Sequence, residues 1–256
     1  RSHADFTYDA KYGFRDYRGG GRSSARETIG RVAAGAVAAK LLSEFGIEAF
    51  AYTRSIGPCE IKIFDRDQRE KNPLNMPDNE AAISTQAFLD ETMESRDSVG
   101  GVVECIITGV MPGLGEPVFD KLDAMLSSAM LSIGAVKGFE IGDGFKVAES
   151  FGSTNNDAFY NDGSGIKKKS NHSGGVLGGI SDGDDIVFRV AFKPTPSIFR
   201  EQDTADKSGE NRKLTIKGRH DPVVVPRAVV VVEAMAALVV ADLLCGRPTV
   251  CFEEEK

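Results

Sequence analysis

The chain has 256 residues and a formal net charge of −7, with 41% hydrophobic and 27% charged residues. That length and balance suit one large folded unit with a buried core, and the acidic balance argues against a general nucleic-acid binder while leaving room for a local cationic pocket. The most apolar stretch, residues 228–245, is broken by Glu233 and Asp242, which argues against a membrane span, and the cysteines (Cys59, Cys105, Cys245, Cys251) contain no CxxC, so they read as free thiols and imply no metal site.

The first 25 residues show little apolar periodicity and end in the tract Tyr17-Arg18-Gly19-Gly20-Gly21-Arg22-Ser23-Ser24-Ala25-Arg26. A helix follows, with Ser24 and Glu27 spaced as a capping box and Gly46 as its stop. Its apolar positions are Ile29, Val32, Ala33, Ala36, Val37, Leu41 and Phe45, and its run of alanines and Gly35 predicts close packing on another backbone. Residues 47–56 and 60–64 read as strands, 79–94 as a helix, and 102–110 as a strand ending at Met111-Pro112-Gly113. Residues 117–132 read as a helix, and 139–141 with 145–149 as a hairpin turning at Asp143-Gly144. Residues 152–170 are polar and carry three consecutive lysines, which predicts a mobile surface loop; 186–192 is a strand and 203–212 a second polar loop. The last element is an almost wholly apolar helix from Pro226 to about Leu244, predicted to be central. This order predicts an α+β fold with largely antiparallel sheets in one domain over 1–256.

Five segments carry side chains suited to chemistry. Arg22 to Arg26 gather two guanidiniums, two hydroxyls and free N–H groups at a helix start, an arrangement that holds phosphate or carboxylate; a capped surface helix with solvated arginines is the plainer reading. Lys193-Pro194-Thr195-Pro196-Ser197 is a stiff turn with an ammonium and two hydroxyls that could hold a phosphate or a ring, although taken alone it reads better as an ordinary strand exit. Gly218-Arg219-His220-Asp221-Pro222 offers an anion clamp beside an acid/base pair, or simply a capping Asp. Arg1-Ser2-His3-Ala4-Asp5 contains one of three histidines, the side chain that titrates nearest neutral pH. Residues 171–181, rich in glycine, suit either a flat cofactor or a set of tight turns.

Taken in order, these segments resemble the chorismate synthase family. G-R-S-S-A-R-E-T-x-x-R-V-A-A-G-A at 21–36 and R-H-D-P followed by V-P-R-A-x-x-x-x-E-A-M at 219–235 are the most specific pieces. S-H-A-D with T-Y-D-A-K-Y-G, N-H-S-G-G-x-L-G-G-I-S and K-P-T-x-S-I stand in the family order around them. The resemblance implies a sandwich of helices between antiparallel sheets, usually a homotetramer. It also implies a cytoplasmic lyase that eliminates phosphate from 5-enolpyruvylshikimate-3-phosphate to give chorismate, with reduced FMN as cofactor and NADPH as a candidate reductant, and with no nucleic-acid or membrane partner.

By the same resemblance Arg22, Ser23, Ser24, Gly134, Ala135, Gly178, Lys193, Pro194, Thr195, Pro196, Ser197 and Arg219 would hold FMN. Arg1, Arg26 and Arg219 would face the substrate's anions. His3 would be an acid near the flavin, and Asp221 would handle the proton at flavin N5. Three departures stand out. The family's G-x-S-H-G start is not in this sequence, so the chain is expected to lack an N-terminal segment. The usual Pro after Arg1 is missing. Pro196 replaces a common Ser. A non-catalytic flavin- or anion-binding fragment is the alternative reading.

Overall fold

The computed structural model describes residues 4–16, 20–163, 165–216 and 221–246. In chain order the elements are α1 (Asp5–Tyr12), α2 (Thr28–Ser43), β1 (Glu48–Ile56), β2 (Cys59–Glu60), α3 (Asn79–Glu94), β3 (Gly101–Thr108), α4 (Leu122–Leu131), β4 (Val136–Ile141), α5 (Gly152–Asn155), β5 (Phe159–Asn161), β6 (Ile166–Lys168), β7 (Val176–Leu177), β8 (Ile180–Ser181), β9 (Ile186–Phe192), β10 (Gln202–Ala205), β11 (Asn211–Leu214) and α6 (Val225–Gly246). The fold is α+β, as the sequence predicts.

Alternation sets the main sheet. In β9, Ile186, Phe188, Val190 and Phe192 are buried and the residues between them are half-exposed, because successive side chains point to opposite faces. The sheet has five strands in the order β2-β1-β3-β9-β4, and its pairings are antiparallel. Its covered face is apolar: Ala51, Cys105 and Phe188 are register partners across three strands and are fully buried. The opposite face carries a row of register partners Tyr52, Glu104, Arg189 and Glu140, in which the Tyr52 hydroxyl donates to Glu104 and Arg189 pairs with both glutamates.

Helix α6 lies on the covered face against β1 and β3, and α2 and α4 pack on α6. It is long and apolar enough to cross a membrane by composition, but here most of that surface is packed against protein. Small residues set the crossing of α2: a Cβ added to Gly35 would stand 2.3 Å from the Cβ of Ala234. The buried positions of α2 are therefore Gly35, Ala38 and Leu42, while Ile29, Val37, Leu41 and Phe45, expected on the packed face, are exposed.

Several local expectations are corrected. The strand expected at 60–64 is only Cys59–Glu60. The helix expected from Pro117 begins at Leu122, because Glu116 and Asp120 bond to each other as a turn and Gly179 takes the N–H of Leu122. Residues 145–149 form a 3-10 helix rather than a hairpin arm, and β4 pairs with β9 instead. The stretch 152–170 contains α5 and the β5–β6 ribbon, and 203–212 lies within the β10–β11 ribbon. Short ribbons with two solvated faces leave no apolar alternation to read. Helix α1 was not signalled, since it buries no residue.

Candidate functional site

Two glycines open the first segment. Gly20 (φ 80) and Gly21 (φ 49) take left-handed backbone, which lets the chain fold into successive 3-10 turns, Gly21–Ser23 and Ala25–Glu27. Ser24 caps the second turn by accepting from Arg26 N–H at 3.4 Å, so the expected capping box does not form; Glu27 pairs with Arg31 instead. The Ser23 hydroxyl donates to the Gly20 carbonyl. Arg22 and Arg26 extend from these turns, exposed. Among the described residues every arginine except Arg22, Arg26 and Arg96 pairs with a carboxylate.

The second segment is tied to the first. One turn into α2, Arg31 donates to the hydroxyl of Ser132 (2.6 Å) and to its carbonyl (3.2 Å), at the C-terminal end of α4. Ser132 leads into Gly134 and Ala135. A Cβ on Gly134 would meet nothing within 4 Å, so its face is open, and Ala135 takes a left-handed φ of 73. The carbonyl of Ala135 accepts the N–H of Lys193 at 3.0 Å, which joins the third segment. The Lys193 ammonium has no carboxylate within reach among the described residues.

The 193–197 turn is held from below and joined to the fourth segment. The Ser98 hydroxyl donates to the Thr195 carbonyl (2.7 Å), and the Thr195 hydroxyl donates to the Asp221 carbonyl (3.3 Å). The Pro196 carbonyl accepts from Gln202, and the Pro222 carbonyl accepts from Val99 N–H at 2.8 Å. The Thr195 hydroxyl is thus already engaged with the backbone, whereas Ser197 and Asp221 line a cleft of about 90 Å3. The Asp221 carboxylate is gripped by Arg227, on the first turn of α6, at 2.7 and 3.2 Å.

Hydrogen bonds thus link 134–135, 193–197 and 221, and Arg31 ties the helix that follows 22–26 to Ser132 at the edge of that region. Gly178 stands apart. Its neighbour Gly179 bonds to Leu122 at the N-terminal end of α4, about 15 Å along the helix from Ser132 at 1.5 Å per residue. Arg1, His3 and Arg219 lie outside the described residues. A larger depression of about 480 Å3, lined by Met125, Leu238 and Asp242, includes none of the expected site residues.

The glycine-rich stretch around Gly178 is fixed by a buried charge. Lys168, 2% exposed, meets Asp182 at 2.6 Å, Asp184 at 3.2 Å and Asp157 at 3.7 Å. Burial disfavours its ammonium, but the bonds and charges of Asp182 and Asp184 outweigh that and hold it above the usual lysine range. Burial likewise works against the Asp157 carboxylate. Hydrogen bonds from Ser173, Ser170 and His172 outweigh it and hold the carboxyl well below the usual range. The sequence reading placed Lys168, with its exposed neighbours Lys167 and Lys169, on a loose surface; the paired aspartates at 182 and 184 were the available signal. It also passed over Arg31 and Arg227, both inside quoted motifs, and Ser98, for which no pattern exists.

Comparison with known proteins gives the family. A family profile described as chorismate synthase matches residues 1–245. A chorismate synthase of Lachnoclostridium phytofermentans is 65% identical over 246 residues, covering 94% of this chain and 67% of the relative. That of Agathobacter rectalis is 61% identical over 244 residues, covering 94% of this chain and 66% of the relative. A crystal structure of chorismate synthase superposes with a TM-score of 0.73 at 38% identity, covering 87% of this chain and 64% of that one. The chain spans about two thirds of the length of the proteins it matches. With a profile over nearly its whole length and relatives above 60% identity, the chain belongs to the chorismate synthase family.

Proposed function

We propose that this chain is the greater part of an enzyme that eliminates phosphate from 5-enolpyruvylshikimate-3-phosphate to give chorismate, the closing step of the shikimate pathway, with reduced FMN. The observation that carries the proposal is the set of cations without carboxylate partners among the described residues, Arg22, Arg26 and Lys193, on segments linked through Arg31 and Ser132–Ala135. An acidic chain in which these charges meet no carboxylate among the described residues, on segments linked to the open glycine at 134, suits an anion.

The donor set fits a flavin phosphate: guanidiniums, an ammonium and the Ser197 hydroxyl suit a phosphomonoester, and the open face over Gly134 leaves room for a flat ring. When bound, reduced FMN supplies electron density that weakens the bond to a poor leaving group and an acceptor for the unacidic C6 hydrogen. The chain's own residues bind, orient and neutralise. Arg26 faces the substrate's phosphate and carboxylates. Arg22, Ser23, Ser24 and Lys193 to Ser197 would hold the flavin through their charges, hydroxyls and backbone N–H groups. Asp221 takes or returns a proton at its carboxylate oxygen, and Arg227 fixes that carboxylate's orientation. His3, Arg1 and Arg219 keep the roles the family resemblance gives them. Homotetramer assembly, a cytoplasmic setting and NADPH as reductant belong to the same reading.

Anaerobic mixing of the protein with pre-reduced FMN and the phosphorylated substrate tests it. Chorismate absorbance should appear together with one equivalent of inorganic phosphate. Flavin binding without chorismate would favour the non-catalytic binding fragment, and intact mass of the purified protein then separates a truncated chain from an inactive whole one.

A further inference from the structure

We propose that Arg96 is an additional oxyanion-binding residue of this site, reaching a phosphate or carboxylate of a bound ligand from the wall of the cleft that Asp221 also lines. The inference rests on the reading of Asp221 and Ser197 as site residues.

The backbone gives the first reason. Arg96 follows the end of α3 with φ 58; its N–H bonds to the Met93 carbonyl and the Asp97 N–H to that of Thr92. This is the left-handed position that ends many helices, where glycine fits without strain and a branched-out side chain does not. Placing an arginine there needs a compensating use, and a strained position is a pointer to function rather than to folding.

Charge gives the second reason. Arg96 lines the cleft of about 90 Å3 together with Asp97, Ser197, Asp221 and Pro222, a space sufficient for one oxyanion, since a water needs far less. Both carboxylates there are already neutralised. Asp97 is bound by Arg200 at 2.6 Å and by Ser98 N–H at 2.8 Å, and Asp221 by Arg227 at 2.7 Å. Among the described residues the Arg96 guanidinium meets no carboxylate, like Arg22 and Arg26 and unlike the other arginines described. Lining a polar cleft with a fork of donors beside a serine hydroxyl suits a phosphate or carboxylate. Such an oxyanion could belong to the flavin phosphate or to the phosphorylated, dicarboxylated substrate.

Arg96→Gly on the full chain separates binding from folding. Glycine relieves the backbone, so thermal stability should hold or rise, while ligand affinity should fall by roughly tenfold or more, the loss of one charge-assisted contact. FMN and riboflavin titrations followed by fluorescence, and substrate KM with kcat, read the two sources. A raised KM with kcat and flavin affinity held assigns Arg96 to the substrate. Weakened FMN with riboflavin unchanged assigns it to the flavin phosphate. Arg96→Lys should fall between wild type and glycine. Affinities for both ligands within twofold of wild type would overturn the inference. Arg26→Ala serves as the control: if it weakens binding and Arg96→Gly does not, only the Arg96 inference fails, and if neither variant has an effect, the reading of the whole site fails with it. Should Arg96→Gly not fold, Arg96→Gln carries the same comparison with the same deciding outcomes.

Discussion

Arg31 and Ser132, distant in sequence, are joined by two hydrogen bonds, from one guanidinium to the hydroxyl at 2.6 Å and to the carbonyl at 3.2 Å. This fork fixes the start of α2, just after the turns that carry the exposed arginines, against the segment that presents Gly134 and Ala135. Arg31→Ala should cost roughly 1.5–3 kcal/mol, the range for hydrogen bonds to a charged group, with the lower end expected because Ser132 is exposed. Ser132→Ala, which keeps the carbonyl contact, should cost less. Urea denaturation measures both, and FMN titration of the same variants should show weakened binding for Arg31→Ala even where the fold survives.

Glycines in α2 separate packing from propensity. Alanine at Gly35 would put its Cβ 2.3 Å from the Cβ and 2.6 Å from the Cα of Ala234, which pushes the helices apart. Gly35→Ala should therefore destabilise by roughly 1–3 kcal/mol, overriding the gain of about 1 kcal/mol that alanine brings to a helix interior. At Gly30 a Cβ meets nothing within 4 Å, so Gly30→Ala should show that gain alone. Shifts of opposite sign in the denaturation midpoint are the expected result; two stabilised variants would mean that α2 does not rest on α6 at this spacing.

What could be read from the sequence was what buries a face. The alternation of 186–192, the helical spacing of 79–94 and the apolar run ending near Leu244 all match elements within about two residues. Elements fixed by distant partners could not be read. Pro117 looks like a first helical residue, yet the Gly179 carbonyl decides where α4 starts. Large side chains on α2 look like its core face, yet close approach to α6 selects the small ones. At the site, the arginine and lysine motifs were legible as anion-binding chemistry, because charge and glycine content are local. The bonds that join them, Ser98 to Thr195 and Arg31 to Ser132, exist only once the sheet and helices have assembled.

The Lys168 cluster predicts a pH response. Asp157 is held well below the ordinary aspartate range in the folded state. Its contribution is present above about pH 4, the ordinary value, and is lost as pH falls toward its lower folded value. Lys168 is held above the lysine range, so its contribution is present below about pH 10.4 and is lost as pH rises beyond it. Lys168→Met leaves Asp157 and Asp182, both nearly buried, without their cation and should cost about 3–5 kcal/mol at neutral pH. Acid unfolding followed by circular dichroism should be less steep in Asp157→Asn than in wild type. An unchanged acid limb would mean that other carboxylates govern it.

Asp221 offers the sharpest test of the chemistry. Its backbone is fixed on both sides, by the Thr195 hydroxyl at its carbonyl and by Val99 at the Pro222 carbonyl. The side chain is free to differ without moving the chain. Its ion pair with Arg227 is largely exposed, at 43% and 77% of the two side chains, so losing it should cost no more than about 1 kcal/mol. Asp221→Asn keeps the size and one acceptor for Arg227 but removes the basic oxygen. If the carboxylate moves a proton during turnover, FMN and substrate should still bind while single-turnover chorismate formation with pre-reduced FMN falls by roughly 10²–10⁴, the usual effect of losing one acid/base group. Turnover at the wild-type rate would leave Asp221 as the anchor of Arg227 and nothing more. A variant that folds but no longer binds flavin would make it a binding residue. Arg227→Lys divides the remaining possibilities: an ammonium at that position still meets the carboxylate but cannot grip both oxygens. A loss of kcat at constant KM in that variant would show that the orientation of the Asp221 carboxylate, and not its charge alone, is what the reaction uses.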